Sequence, residues 1–129
     1  GILKNVYAVG VGIIAGLDLE QSKKQIFIEK TIAEMKVFCE NNNINPEMVN
    51  NKAGVGDFLT TSNSPNSRNR AMGIELGKMG KTNIRGEALE AAPKFVERFP
   101  FIKEKMPLFF SITKIIEGEQ PGKSLIGTL

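Results

Sequence analysis

The first segment of the chain is almost entirely apolar. From Leu3 to Ala15 nearly every residue is hydrophobic, and Gly10, Gly12 and Gly16 are spaced along this run. A segment that is apolar on all sides is buried on all sides, and its glycines let a neighbouring backbone approach closely. Lys4 ahead of the apolar run superficially resembles a secretory signal. The run is too short to span a bilayer, however, and we predict a buried helix.

Further along, apolar residues recur at the spacing of amphipathic helices. The clearest helix is predicted over residues 21–41, with a buried face every three to four residues, formed by Ile28, Ile32, Met35 and Phe38. Asn41-Asn42-Asn43 ends it. Asn45-Pro46-Glu47 has the composition of a second helix start.

Three more helices are predicted in the remaining sequence. One is capped by Ser67 and stopped by Gly77, one runs from Glu87 to Phe99 with a kink or a division at Pro93, and the last begins at Pro107 and stops at Gly118. No alternating pattern typical of strands is present. The pattern predicts one all-α, bundle-like domain over residues 1–129.

The segment Gly10-Val11-Gly12-Ile13-Ile14-Ala15-Gly16 loosely resembles a dinucleotide-binding fingerprint. Its spacing is GxGxxxG rather than GxGxxG, and no second apolar strand follows. A true fingerprint joins a strand to a helix within a βαβ unit. We therefore interpret these glycines as a means for a helix to pack tightly.

The amino-acid composition excludes several kinds of functional site. The 129 residues are 41% hydrophobic and 24% charged, with a net charge of +3, which is ordinary for a globular protein. Because the basic residues are scattered, apart from Ser67-Arg68-Asn69-Arg70, nucleic acid is not an expected partner. The absence of histidine excludes Ser-His triads and His-ligated zinc. A single cysteine, Cys39, excludes an internal disulfide and fits a reducing, cytoplasmic setting.

Two groups of polar residues could carry chemistry. Lys4-Asn5 lies at the head of the apolar segment, and a buried ammonium needs a partner. Gly54-Val55-Gly56-Asp57, Thr60-Thr61 and Ser67-Arg68-Asn69 combine hydroxyls, an arginine and an expected helix start, which suits an anion such as phosphate. The simpler interpretations are a surface lysine at a frayed terminus and a capped helix with a solvated arginine.

These motifs resemble a known family. Leu3-Lys4-Asn5-Val6, Ala53-Gly54-Val55-Gly56-Asp57 and Ser67-Arg68-Asn69-Arg70 are similar in order and approximate spacing to the C-terminal, substrate-binding domain of NAD(P)-dependent glycerol-3-phosphate dehydrogenases. Ile32-Ala33-Glu34-Met35 and the helix after Met106-Pro107 resemble further parts of that domain. The resemblance covers nearly the whole chain, and it implies the helical fold of the 6-phosphogluconate dehydrogenase C-terminal-domain-like class.

The resemblance also implies roles for individual residues. Lys4 matches the catalytic base that removes the proton from the C2 hydroxyl of glycerol 3-phosphate, or protonates dihydroxyacetone phosphate in the other direction. Asn5 and Asp57 match the residues that position Lys4 and the substrate hydroxyls. The residues that match the phosphate-holding side of the site are Thr61, Ser67, Arg68 and Asn69. Arg68 is also expected to reach NAD or NADP.

Three departures from the family pattern stand beside these roles. The chain opens with Gly1, and the dinucleotide-binding (Rossmann) domain that precedes Leu3 in the family is absent from it. The stretch between Gly77 and Ile84 is shortened. Arg85 stands where the family has a cofactor-associated glutamate, and Arg85 is therefore not assigned to the site.

Two functions remain open on this reading. The first is the catalytic, substrate-binding part of an NAD(P)-dependent glycerol-3-phosphate dehydrogenase, which needs a nucleotide-binding domain outside this chain and is compatible with a homodimer. The second is a non-catalytic helical module that binds a phosphorylated metabolite or a protein partner. A metal ion is not expected in either case.

Overall fold

The structure, a computed structural model, describes residues 1–45 and 67–129. These residues form helices and no strand, which confirms the predicted all-α fold. The elements are α1 (Ile2–Gly16), α2 (Gln21–Asn41), α3 (Ser67–Met79), α4 (Ala88–Arg98), α5 (Ile102–Lys105), α6 (Pro107–Ile116) and a 3-10 helix (Gly122–Thr128).

Among the described elements, helices α1 and α3 pack most closely against each other. The Val9 carbonyl lies against Gly73, and the Ile13 carbonyl lies against Gly77, where an added Cβ would be only 2.5 Å from that oxygen. Contacts advance along both helices in the same direction, so the two helices are parallel. The backbone of α3 likewise lies close to Gly12 on α1, since a Cβ at Gly12 would lie 2.8 Å from the Ile74 nitrogen. The glycines of the apolar segment therefore serve close packing, as predicted.

The hydrophobic core lies between this pair and the other helices. Helix α4 packs on α1 and α6 through Ala88, Ala92 and Val96, all of which are buried. Phe27 on α2 and Phe109 on α6 are among the largest fully buried side chains. The core thus fixes the position of α4 relative to α1.

A buried carboxylate joins α2 to α6. Glu34, with 7% of its surface exposed, accepts hydrogen bonds from the backbone nitrogens of Leu108 (2.6 Å) and Phe109 (2.8 Å) and from the Tyr7 hydroxyl (2.8 Å). Glu34 therefore caps the N-terminus of α6, where two N–H groups would otherwise lack acceptors. Burial raises the pKa of Glu34, although these donors and Lys30 lower it. Burial also raises the pKa of Tyr7, and the charge of Glu34 adds to that effect.

Several helix ends differ from the prediction. Helix α3 continues through Gly77 and ends before Gly80, which has a positive φ of 75°. Gly77 lies inside the helix, where its lack of a side chain lets α3 pack directly against the Ile13 carbonyl of α1. Helix α4 runs undivided through Pro93, since the packing of its buried face outweighs the lost hydrogen bond. The short helix α5 and the C-terminal 3-10 helix were not predicted.

The buried face of α2 is also rotated from the predicted one. Met35 and Phe38 are buried as expected, but Ile28 and Ile32 are only half-buried. Phe27, Thr31 and Glu34 occupy the buried positions instead. The predicted helix start at Asn45-Pro46-Glu47 reaches outside the described residues.

None of the helices in the described ranges combines the length and the apolar character needed to cross a membrane.

Candidate functional site

The first turn of α1 carries Lys4 and Asn5, both half-buried. Asn5 Nδ2 donates a hydrogen bond to Glu87 Oε2 over 3.2 Å. Lys4 makes no ion pair or hydrogen bond within the part of the chain that the structure describes. Its ammonium is therefore available to a ligand or to a residue outside that part.

The first turn of α3 carries Ser67, Arg68 and Asn69. Ser67 and Arg68 are exposed, whereas Asn69 has 1% of its surface exposed. Arg68 Nε donates to the Arg85 carbonyl over 2.9 Å, and Asn69 Oδ1 accepts from the backbone nitrogen of Ala88 over 3.0 Å. Both side chains thereby hold the segment that leads into α4.

The parallel register of α1 and α3 brings these two turns together. Val9 faces Gly73 and Ile13 faces Gly77, and one helical turn towards the N-termini Asn5 is level with Asn69. The chain therefore places Lys4-Asn5 and Ser67-Arg68-Asn69 at the same end of the helix pair, although more than 60 residues separate them in the sequence.

A third helix N-terminus lies at this end. Helix α4 begins at Ala88, and its start is tied to α1 by the Asn5–Glu87 hydrogen bond and to α3 by the Asn69–Ala88 hydrogen bond. Each helix N-terminus carries a partial positive charge from its aligned peptide dipoles. Three such termini, with the cations Lys4 and Arg68 and the carboxylate of Glu87 beside them, offer N–H donors that suit a phosphate group.

The two asparagine amides present opposite groups to a ligand. Asn5 uses Nδ2 to reach the Glu87 carboxylate, and its oxygen Oδ1 accepts no hydrogen bond from the described residues. Asn69 uses Oδ1 to accept from Ala88, and its Nδ2 has no hydrogen bond to the described residues. An amide oxygen can accept from an ammonium or a hydroxyl, and an amide N–H can donate to a phosphate oxygen.

Glu87 was missed at the sequence level. Glu87 immediately precedes α4 and is exposed. Its carboxylate accepts a hydrogen bond from Asn5, which lies 82 residues earlier in the sequence. Glu87 is two positions from Arg85, whose exposed side chain reverses the charge expected there. The signal that could have revealed Glu87 is an acid at the start of a predicted helix. Such an acid is also common as a simple dipole partner.

Two predicted site residues cannot be placed. Asp57 and Thr61 lie outside the described residues, and so do residues 54–56. Of the predicted site residues, the structure therefore describes Lys4, Asn5, Ser67, Arg68 and Asn69. Within residues 1–45 and 67–129 no group of three or more acidic or cysteine side chains could hold a metal ion.

Comparison with known proteins gives the site a context. A family model described as the NAD-dependent glycerol-3-phosphate dehydrogenase C-terminus matches residues 1–127. A glycerol-3-phosphate dehydrogenase (NAD(P)+) of Pseudomonas savastanoi pv. phaseolicola is 40% identical over 92 residues, covering 71% of this chain and 25% of the relative. The corresponding protein of Sinorhizobium fredii is 33% identical over 123 residues, covering 92% of this chain and 37% of the relative.

A solved structure shares the fold. The glycerol-3-phosphate dehydrogenase of Coxiella burnetii superposes with a TM-score of 0.79 at 24% identity, covering 99% of this chain and 42% of that one. This chain therefore spans about a quarter to two-fifths of the proteins it is similar to.

Proposed function

This chain belongs to the family of the NAD-dependent glycerol-3-phosphate dehydrogenase C-terminus, and from that premise we propose that it is the substrate-binding and catalytic part of such an enzyme. The reaction is the interconversion of sn-glycerol 3-phosphate and dihydroxyacetone phosphate by hydride transfer to or from NAD or NADP. The observation that carries the proposal is the convergence of the α1, α3 and α4 N-termini around Lys4 and Arg68.

The phosphate group of the substrate binds at this convergence. The guanidinium of Arg68 donates through its terminal nitrogens, because Nε is occupied by the Arg85 carbonyl. Asn69 Nδ2 and the Ser67 hydroxyl supply further donors, and Thr61 is expected to add another. Charge-assisted donors of this kind bind phosphate oxygens more strongly than neutral ones.

Lys4 handles the proton. In the oxidising direction its amine takes the proton from the C2 hydroxyl, and in the reducing direction its ammonium returns the proton to the developing alkoxide. Asn5 Oδ1, which the bond from Nδ2 to Glu87 does not use, accepts from the Lys4 ammonium or from a substrate hydroxyl. Asp57 is expected to complete this positioning.

NAD or NADP, when bound, accepts or supplies the hydride. Arg68 is the residue of this chain proposed to reach the dinucleotide, and its terminal guanidinium nitrogens fit a phosphate oxygen of that group. We propose that most of the dinucleotide is held by a domain outside residues 1–129, since the matched regions cover only 25% and 37% of the two relatives. The homodimer and the cytoplasmic location stay predictions.

The test is turnover in the polypeptide that joins this chain to a dinucleotide-binding domain. Lys4→Ala should lower kcat about 10²–10⁴-fold, the usual contribution of a positioned acid or base, with a much smaller change in KM. Lys81→Ala, at an exposed position before α4, is the matched control and should leave kcat unchanged. A Lys4→Ala enzyme with near-normal kcat would remove Lys4 as the base.

The alternative is a non-catalytic module that binds a phosphorylated metabolite or a protein partner, and Arg85 favours it because it reverses the charge at the position associated with the cofactor. The same assay separates the two functions. Binding of glycerol 3-phosphate without any NAD- or NADP-dependent turnover by the unmodified polypeptide would favour the module.

A further inference from the structure

A cavity with two cationic lining residues lies on another side of α3. Its volume is about 190 Å³, and it is bounded by α1, α2 and the beginning of α3. Its apolar walls are Val11 and Ile14 of α1 and Phe27 and Ile28 of α2, and its two cations are Lys24 and Arg70. Among the described residues, no aspartate or glutamate lines it.

Arg70 is the unusual residue of this cavity. Its Nη1 atom is buried and has no hydrogen-bond partner, and no ion pair involving Arg70 is formed within the described residues. A guanidinium stays protonated in proteins, so its buried N–H groups need acceptors. Buried polar groups without partners are rare, and an acceptor bound beside the guanidinium would remove this deficit.

The charge of the cavity favours an anionic ligand. Lys24 and Arg70 together carry two positive charges, and the described part of the lining supplies no carboxylate to neutralise them. An oxyanion would provide acceptors for Arg70 and compensate both charges.

The size and the apolar walls of the cavity limit which anions could bind in it. At about 190 Å³ it is smaller than the roughly 300–1,000 Å³ typical of sites for drug-sized ligands. The four apolar side chains would exclude water from a short hydrocarbon group. A bare inorganic ion would leave those walls unused.

We propose that this cavity binds a small organic oxyanion, whose carboxylate or phosphate head pairs with Arg70 and Lys24 and whose short apolar body contacts Val11, Ile14, Phe27 and Ile28. This site is additional to the proposed substrate site. Arg68 extends from α3 towards the segment before α4, whereas Arg70 borders α2.

Titration of the ¹⁵N- and methyl-labelled chain, followed by NMR, tests this site. The probes are butyrate, monobutyl phosphate and inorganic phosphate, each raised to about 50 mM. The butyl compounds should give saturable shifts at the methyl groups of Val11, Ile14 and Ile28 and at Arg70 Nε–H. The affinity for inorganic phosphate should be at least about fivefold lower than that for monobutyl phosphate, because inorganic phosphate has no apolar body. The ratio of the two butyl affinities identifies the preferred head group.

Variants separate this site from general surface charge. Arg70→Gln and Lys24→Gln should each weaken binding of the preferred butyl compound about tenfold, and Lys24→Gln alone decides if Arg70→Gln loses the native amide spectrum. Lys23→Gln removes the same charge from the adjacent position of α2, outside the cavity lining, and should change the affinity less than about twofold. Absence of saturable shifts, equal effects of Lys23→Gln and Lys24→Gln, or shifts at Lys4 and Arg68 with none at Val11, Ile14 and Ile28 would each overturn the proposal.

Discussion

At the scale of single residues, the orientation of Asn5 determines what the first turn of α1 can offer a ligand. A carboxylate can only accept, so Glu87 requires the nitrogen of the Asn5 amide to face it. The amide oxygen is then directed to other donors. A distant acid thus selects which half of the amide is available.

Glu87→Ala tests this selection through ligand affinity. Glu87→Ala and Glu90→Ala each remove one negative charge from the beginning of α4, but only the first removes the bond to Asn5. We expect Glu87→Ala to bind glycerol 3-phosphate about fivefold more weakly than Glu90→Ala, which corresponds to one ordinary hydrogen bond. Isothermal titration calorimetry gives both dissociation constants, and equal values would show that the Asn5–Glu87 bond has no role in binding.

Glu34 has a structural role of comparable weight. Glu34→Ala would leave the buried N–H groups of Leu108 and Phe109 and the Tyr7 hydroxyl without their acceptor. At about 1–3 kcal/mol for each such group, the free energy of unfolding should fall by about 3 kcal/mol or more. Urea denaturation measures this loss. Glu29→Ala, at an exposed position of the same helix, should change stability by less than about 0.5 kcal/mol, and a similar effect of both variants would contradict the capping role.

The pH dependence of stability follows from the same residue. Because burial raises the pKa of Glu34 in the folded chain, the folded state holds this proton at a pH where the unfolded state releases it. The contribution of Glu34 to stability is therefore fully present below the ordinary glutamate pKa and is lost as pH rises through the raised value. The free energy of unfolding of the unmodified chain should fall over that window relative to Glu34→Gln, which does not titrate there.

At the scale of secondary-structure elements, four glycines determine how α1 and α3 meet. Gly12, Gly16, Gly73 and Gly77 each leave room for a backbone atom of the other helix. The sequence suggested this role for the α1 glycines, since they interrupt an apolar helix. It could not assign Gly77, because a glycine at the end of a polar helix is also a common stop. Only the partner helix distinguishes the two roles.

Gly73→Ala should separate the two helices. The added methyl would lie 2.9 Å from the Ile13 nitrogen and closer still to the Val9 carbonyl. Backbone cannot move aside as a side chain can, so we expect a loss of about 1–3 kcal/mol in the free energy of unfolding, the usual cost of overpacking. Gly127→Ala, which meets nothing within 4 Å, is the control in the same urea denaturation. Equal stability of the two variants would show that α1 and α3 are not held this closely.

At the scale of the whole molecule, the candidate site depends on the parallel arrangement of α1 and α3. The sequence identified Lys4, Asn5 and the Ser67–Asn69 turn through their resemblance to family motifs, and it predicted most of the helices. It could not predict that α4 begins at the same end, because the two bonds that fix this, Asn5 to Glu87 and Asn69 to Ala88, join residues far apart in the chain. Asp57 and Thr61 stay predictions.

The most direct test of the central claim is an NMR titration of the chain with glycerol 3-phosphate, with glycerol as the control that lacks a phosphate. Because the N-termini of α1, α3 and α4 meet, the phosphate compound at about 10 mM should give saturable amide shifts at Lys4, Asn5 and residues 67–69 together. Glycerol should give none. Shifts at only one of the two helix starts, or equal shifts with glycerol, would contradict a shared phosphate site.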